Sequence, residues 1–190
     1  MRLTLEWQRR FSADDFEKMA ELGVFGETER INLVDGVIFN SPTPSPLHCS
    51  VVHRLAAEFH QLRRKSAIVS VHNPIRLDEF NEPIPDLALL HYRKDYYSTA
   101  HPGAADLFLV VEVVEDTDVL DRGIKLPAYA EAGVPELWLM CFKQASIEMH
   151  RRPENGIYTE RSIRFLDWTV SPQAFPDLVI PVASILSRSE

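Results

Sequence analysis

Three charged residues define what chemistry this chain could do. Glu112 stands inside Leu107-Phe108-Leu109-Val110-Val111-Glu112-Val113-Val114, an apolar run that it alone interrupts. A carboxylate in an apolar layer loses its hydration and needs a substitute, which a metal ion, a lysine or a bound proton would each supply. Asp86, directly after Pro85, and Lys125 are companions that a sheet can bring alongside. Two carboxylates match the ligand count of Mg²⁺, which commonly takes only one or two from protein and keeps water elsewhere. A neighbouring ammonium can orient the attacking water or stabilise developing negative charge, so the set suits metal-assisted phosphodiester hydrolysis. Each residue also has a plainer reading: Asp86 as a turn or cap, Lys125 as a solvated helix start, and Glu112 as half of a structural ion pair with Lys125 or an arginine.

Positioning these groups requires particular elements. Ser12-Ala13-Asp14-Asp15 reads as a helix start, with Gly23 as its stop. Ile31 to Phe39 reads as two short strands around Asp35-Gly36, a dipeptide suited to a tight hairpin. Past the proline-rich bend from Ser41 to Pro46, Ser45 fits an N-cap and Pro46 a first helical position, opening a helix from about Leu47 to Arg64. On it Val51, Val52, Leu55, Ala56, Phe59 and Leu62 form one apolar stripe that should pack on a sheet. Ala67 to Val71 reads as a strand continued by Ile75 to Leu77 after Pro74, and Asp86 to His91 as another, with Asp86 at its entrance. The run around Glu112 has the unbroken apolarity of a central strand buried on both faces. Asp121 to Ala132 reads as helical, with Pro127 placing the regular helix near Leu126 and Lys125 at or just before its start. Gly133 ends it, Glu136 to Cys141 forms a strand, and turns at Lys143-Gln144-Ala145 and Glu154-Asn155-Gly156 separate shorter strands. The order implies a mixed sheet flanked by helices, an α/β (α+β) fold.

At 190 residues and 45% hydrophobic content the chain can bury a core, and one domain spanning 1–190 is expected. No apolar run approaches the roughly 20 residues of a membrane span, and Met1 to Trp7 lacks a signal-peptide core, so a cytoplasmic protein is expected. Cys49 and Cys141 are far apart among apolar neighbours, as suits free thiols. A net charge of −8 opposes broad attraction to a polyanion. Divalent cations can still neutralise an acidic site, and Arg63-Arg64-Lys65 and Arg151, Arg152, Arg161 and Arg164 are grouped, although solvated faces explain both groups. Asp116, Asp118 and Asp121 lack the glycine and terminal glutamate of a calcium loop and read as turns and caps. His48 reads as a helix-capping residue with a structural or substrate-phosphate contact as the alternative. His53 and His60 are spaced too widely for a zinc pair. Glu58 is an exposed acid or an outer ligand, and Trp138 and Trp168 are core or interface residues.

Several stretches together carry a resemblance: Pro85-Asp86-Leu87-Ala88-Leu89, Leu109-Val110-Val111-Glu112-Val113, and Asp121-Arg122-Gly123-Ile124-Lys125-Leu126-Pro127 through Tyr129 to Gly133-Val134-Pro135-Glu136-Leu137-Trp138. With Leu33-Val34-Asp35-Gly36 and Ser41 to His48, the likeness runs from about Ile31 to Met140. It resembles the putative restriction endonuclease family of the PD-(D/E)XK nuclease superfamily. The resemblance implies a restriction-endonuclease-like αβββαβ core at about 31–151, with Asp86 and Glu112 as metal-binding acids and Lys125 as the catalytic lysine. It further implies Mg²⁺, with Mn²⁺ as a substitute, and DNA as substrate. Cutting both strands of a duplex favours a homodimer. The superfamily's common pattern puts its lysine two residues after the acid, where this chain has Val114, so Lys125 is a lysine that has migrated to the helix. Asn32 and Val37 stand where family members carry acids. A catalytically silent nucleic-acid-binding or protein-interaction module, and a hydrolase of RNA or another phosphoester, are the competing expectations.

Overall fold

The computed structural model describes residues 9–26, 29–62, 65–114 and 121–187. Its first helix, α1 (Ala13–Glu21), starts where Ser12 Oγ accepts the Asp15 N–H and Asp15 reaches back to the Ser12 N–H, a reciprocal cap. Strands β1 (Arg30–Val34) and β2 (Val37–Ser41) form an antiparallel hairpin. Its turn places Asp35 and Gly36 at φ of 51° and 70°, and a methyl at Gly36 would come within 2.5 Å of Arg10. Helix α2 (Pro46–Phe59) has Ser45 as its cap and Pro46 in its first turn. It ends at Phe59, and Arg63 and Arg64 lie outside the described residues.

The main sheet holds six strands in chain order: β3 (Ala67–Val71), β4 (Leu87–His91), β5 (Leu107–Val114), β6 (Glu136–Cys141), β7 (Ser146–Glu154) and β8 (Ile157–Phe165). Neighbours are antiparallel except β5 and β6. A parallel pair needs a crossover. Here the crossover includes a turn of π-helix, Asp121–Lys125, and helix α3 (Leu126–Glu131), with Pro127 tolerated in the first turn. A small ribbon of β9 (Thr169–Val170) and β10 (Ile180–Pro181) leads into α4 (Val182–Leu186). The succession α2, β3, β4, β5, α3, β6 is the expected αβββαβ order.

Three expectations need correction. The segment Ile75–Leu77 does not extend β3: His72 turns the chain at φ 52°, and the Ile75 N–H bonds Pro83 O at 3.0 Å in a loop. Asp86 precedes β4 and does not belong to it. The strands joined by the turn at Glu154-Asn155-Gly156 are not short; β7 and β8 run nine residues each, the longest in the sheet, and the two-residue strands β9 and β10 come only after them.

Side-chain alternation along β5 assigns its two faces. Leu109, Val111 and Val113 join Val51, Val52, Leu55 and Phe59 of α2 and Ile185 and Leu186 of α4 in one core. Val110 and Val114 join Tyr129 of α3, Val134, Leu137 and Leu139 in the other. Glu112 has the parity of the second set and so faces α3. Trp138 is core, whereas Trp168 lies on the surface with the Arg164 guanidinium 4.9 Å from its ring. No described helix is long and apolar enough to cross a membrane.

Candidate active site at the end of the central sheet

Asp86 is held at the mouth of β4 by groups distant in sequence. Asn32 Oδ1 accepts the Ile84 N–H at 2.7 Å, while its Nδ2 donates to Ser41 Oγ at 2.9 Å, locking the hairpin to the Pro83–Pro85 approach. The Asp86 carboxylate is 5% exposed. Its Oδ2 accepts the Val113 N–H of β5 at 2.8 Å. Its Oδ1 faces His48 Nε2 at 2.9 Å, His72 Nε2 at 3.3 Å and Arg30 Nη2 at 3.3 Å. Burial by itself would raise the pKa of this acid. The His48 hydrogen bond and the close approach of the His72 ring outweigh that cost and hold the carboxyl far below the usual carboxylate range.

Glu112 sits across the strand pair, since Leu87 pairs with Val111 and Asp86 is the residue before it. Its Oε1 accepts from Lys125 Nζ at 3.1 Å and from the Tyr129 hydroxyl at 2.6 Å. Lys125 Nζ also lies 3.1 Å from Asp121 Oδ1 and donates to Ile84 O at 3.4 Å. Asp121, Lys125 and Tyr129 recur every four residues, so the π-turn and α3 present all three toward β5. Burial pushes the Glu112 carboxyl up, with Lys125 opposing and Asp86 adding to the rise. For Lys125, burial would favour the neutral amine, but Glu112 and then Asp121 outweigh it and keep the ammonium charged. Tyr129 is raised well above its usual value by burial and by Glu112, so it stays a hydrogen-bond donor.

The structure thus puts Glu112 and Lys125 in direct contact, with Asp86 on the neighbouring strand lead. Lys125 is buried at 4% exposure, not a solvated helix start. His48 is not the cap of its helix; Ser45 caps it, accepting the His48 N–H, and the His48 ring turns to Asp86. Asp121 is a buried partner of Lys125, not a turn residue. Glu58 bonds Gln61, and the His53 and His60 side chains are exposed. Asp116 and Asp118 lie outside the described residues. Arg30, His72 and Tyr129 went unread in the sequence. Tyr129 had a signal, its four-residue spacing from Lys125; His72 and Arg30 join the site only through the loop after β3 and the hairpin.

A family match covers residues 13–183, under the description Uma2, putative restriction endonuclease. The chain belongs to the Uma2 family. Among solved structures, a putative nuclease belonging to DUF820 from Anabaena variabilis superposes with a TM-score of 0.73 at 14% identity, covering 93% of this chain and 98% of that one. No curated protein matches the sequence. This Uma2 chain therefore has a nuclease-type fold, and its family points to hydrolase chemistry.

Restriction-endonuclease-like proteins are generally metal-dependent, and the donors here fit an ion. Atoms of His48, His72 and Asp86 lie within 4.8 Å of one another. His72 Nε2 is buried and makes no hydrogen bond among the described residues, although it lies 3.3 Å from Asp86 Oδ1. Glu112 stands outside that group and is turned to Lys125.

Proposed function

We propose that this protein is a Mg²⁺-dependent endonuclease that hydrolyses DNA phosphodiester bonds. The observation carrying the proposal is the Glu112–Lys125 contact of 3.1 Å beside a buried Asp86 that stays ionised. Asp86 and Glu112 would hold the ion, whose oxygen preference matches two carboxylates, with Mn²⁺ as a substitute. When bound, the metal supplies Lewis-acid stabilisation of phosphate charge and an acidified water.

The chain's own groups do the rest. His48 and His72 orient the Asp86 carboxylate. Lys125, kept charged, would stabilise negative charge developing on the phosphate, and Tyr129 fixes the Glu112 carboxylate. Arg30 keeps its side chain 24% exposed beside Asp86 and offers a planar fork to a phosphate oxygen. The start of α2, a 14-residue helix, adds a positive dipole end near the same place.

Cleavage of supercoiled plasmid by purified protein with Mg²⁺ or Mn²⁺ tests this, with Asp86→Ala and Glu112→Ala alongside. Equal activity in all three discards the site. The closed Glu112–Lys125–Tyr129 contact favours a second reading, a catalytically silent module that keeps the fold. Salt-sensitive DNA binding with no metal-dependent turnover supports that alternative, and competition by RNA would reassign the substrate.

A further inference from the structure

A second acidic constellation lies away from the nuclease-like site. A cleft of about 920 Å³ opens between α1 and the loop around Tyr97 to His101, and Glu17, Glu82 and His101 are among its lining residues. We propose that Glu17, Glu82 and His101 form a divalent-cation site of the borderline class that takes Zn²⁺, fastening α1, the Glu82 segment and the His101 loop together.

Four observations carry it. The candidate donor atoms of the three residues lie within 4.8 Å of one another. Glu82 is only 3% exposed, and its Oε2 has no hydrogen-bond partner among the described residues. A buried carboxylate oxygen without a donor is costly, and burial with Glu17 alongside pushes the Glu82 pKa up to about 7, so a proton or a cation is needed to answer the charge. The Glu82 backbone is tied to β1, its N–H bonding Leu33 O at 2.7 Å and its carbonyl accepting the Leu33 N–H at 3.2 Å, which fixes where the side chain starts. Two carboxylates and one imidazole are the mixed oxygen and nitrogen set that Zn²⁺ accepts at roughly 2.0–2.2 Å, with a further position for water.

The neighbouring cation does not satisfy this demand. Arg76 is engaged by Asp14 at 2.5 Å and by Glu17 Oε1 at 3.3 Å, and Glu82 Oε2 still lacks a partner. Glu17 and His101 are the more exposed members, so side-chain rotation suffices to close them on an ion. The site lies outside the His48–His72–Asp86 group. The two adjoin along the chain segment from Glu82 to Asp86, in which Ile84 lines the cleft, and at β1, where Ile31 lines the cleft next to Arg30.

Titration with Zn²⁺ alone tests it, using the tag-free full chain carrying Asp86→Ala to weaken the first site. That variant should bind one Zn²⁺ at this site, and adding His101→Ala should weaken binding at least tenfold while leaving the circular dichroism unchanged. Because Glu82→Gln could disturb folding, the exposed His101 is the deciding variant. In the wild-type chain, Zn²⁺ should also shift the His101 imidazole resonances. Absence of Zn²⁺ binding in the folded Asp86→Ala chain, equal affinity with and without His101, or unmoved His101 resonances would each overturn the proposal.

Discussion

Glu112 and Glu136 occupy adjacent, parallel strands and are equally shut from water, at 1% and 0% exposure, yet their surroundings differ in kind. Glu136 Oε1 accepts from Arg151 Nε at 2.8 Å, Arg151 Nη2 at 2.6 Å and the Trp138 indole at 2.7 Å, and its Oε2 accepts the Gln173 N–H at 2.6 Å. Those donors engage both carboxylate oxygens and stitch β6 to β7 and to the chain near Gln173. Glu148 on β7 follows the same pattern, with Arg122 at 2.6 Å and Arg161 at 2.7 Å. Glu112 instead meets a lysine and a phenol, beside Asp86 and two histidines. Burial of an acid therefore marks a need for a partner. The surroundings differ: guanidinium groups pair with Glu136 and Glu148, whereas a lysine and a phenol hold Glu112 beside a second buried carboxylate with its two histidines.

The largest expected effect breaks the two apart. Asp86→Ala or Glu112→Ala should each lower metal-dependent plasmid cleavage by about 10²-fold or more, while Glu136→Gln leaves the rate per folded molecule unchanged. If the two acids hold one ion as proposed, the double Asp86→Ala, Glu112→Ala variant should be no slower than either single one. A comparable loss in Glu136→Gln would erase the distinction.

Lys125→Met removes the buried ammonium from beside Glu112 and Asp121, and urea unfolding should register a loss of about 3–5 kcal/mol. Arg151→Ala should destabilise in the same direction by taking the guanidinium from buried Glu136 but spare cleavage. Tyr129→Phe removes one buried hydrogen bond to a charged group and should cost about 1.5–3 kcal/mol in the same measurement. A smaller cost would indicate that Glu112 leans on Lys125 alone.

Acid titration sharpens the structural side. Burial would raise Glu148, but hydrogen bonds from Arg122 and Arg161 outweigh it and bring its pKa from 4.5 down to about 2. An acid depressed on folding contributes stability that is complete above the unfolded value and disappears as pH falls through the folded one. Stability should therefore decline between about pH 4.5 and 2, and Glu148→Gln should flatten that part of the curve. An unchanged acid limb would assign the decline to other carboxylates.

Much of the fold was legible because its signals are local. Ser12 and Ser45 cap their helices, Pro46 and Pro127 sit in first turns, and Asp35-Gly36 turns the hairpin, since each acts on backbone groups only a few residues away. The failed continuation at Ile75–Leu77 came from a short apolar pattern that also suits a buried loop, and periodicity cannot separate the two. In the site, Glu112 was conspicuous because the residues on both sides of it are apolar. Glu136 and Glu148 were missed as equally buried acids, one at the start of an apolar run and the other in an alternating strand.

The sequence by itself determined that an acid in β5 must be partnered, that helices bracket a mixed sheet, and that Asp86 stands at a strand mouth. Those conclusions follow from desolvation and from backbone preferences, both properties of a residue and its near neighbours. Only the tertiary structure decided that His48, His72 and Arg30 converge on Asp86, that Tyr129 and Asp121 complete the Lys125 cage, and that Glu82 is left with an unpartnered oxygen. Convergence depends on how the hairpin, α2, the loop after β3 and the β5–β6 crossover pack together, and side-chain contacts of that kind have no local period to read.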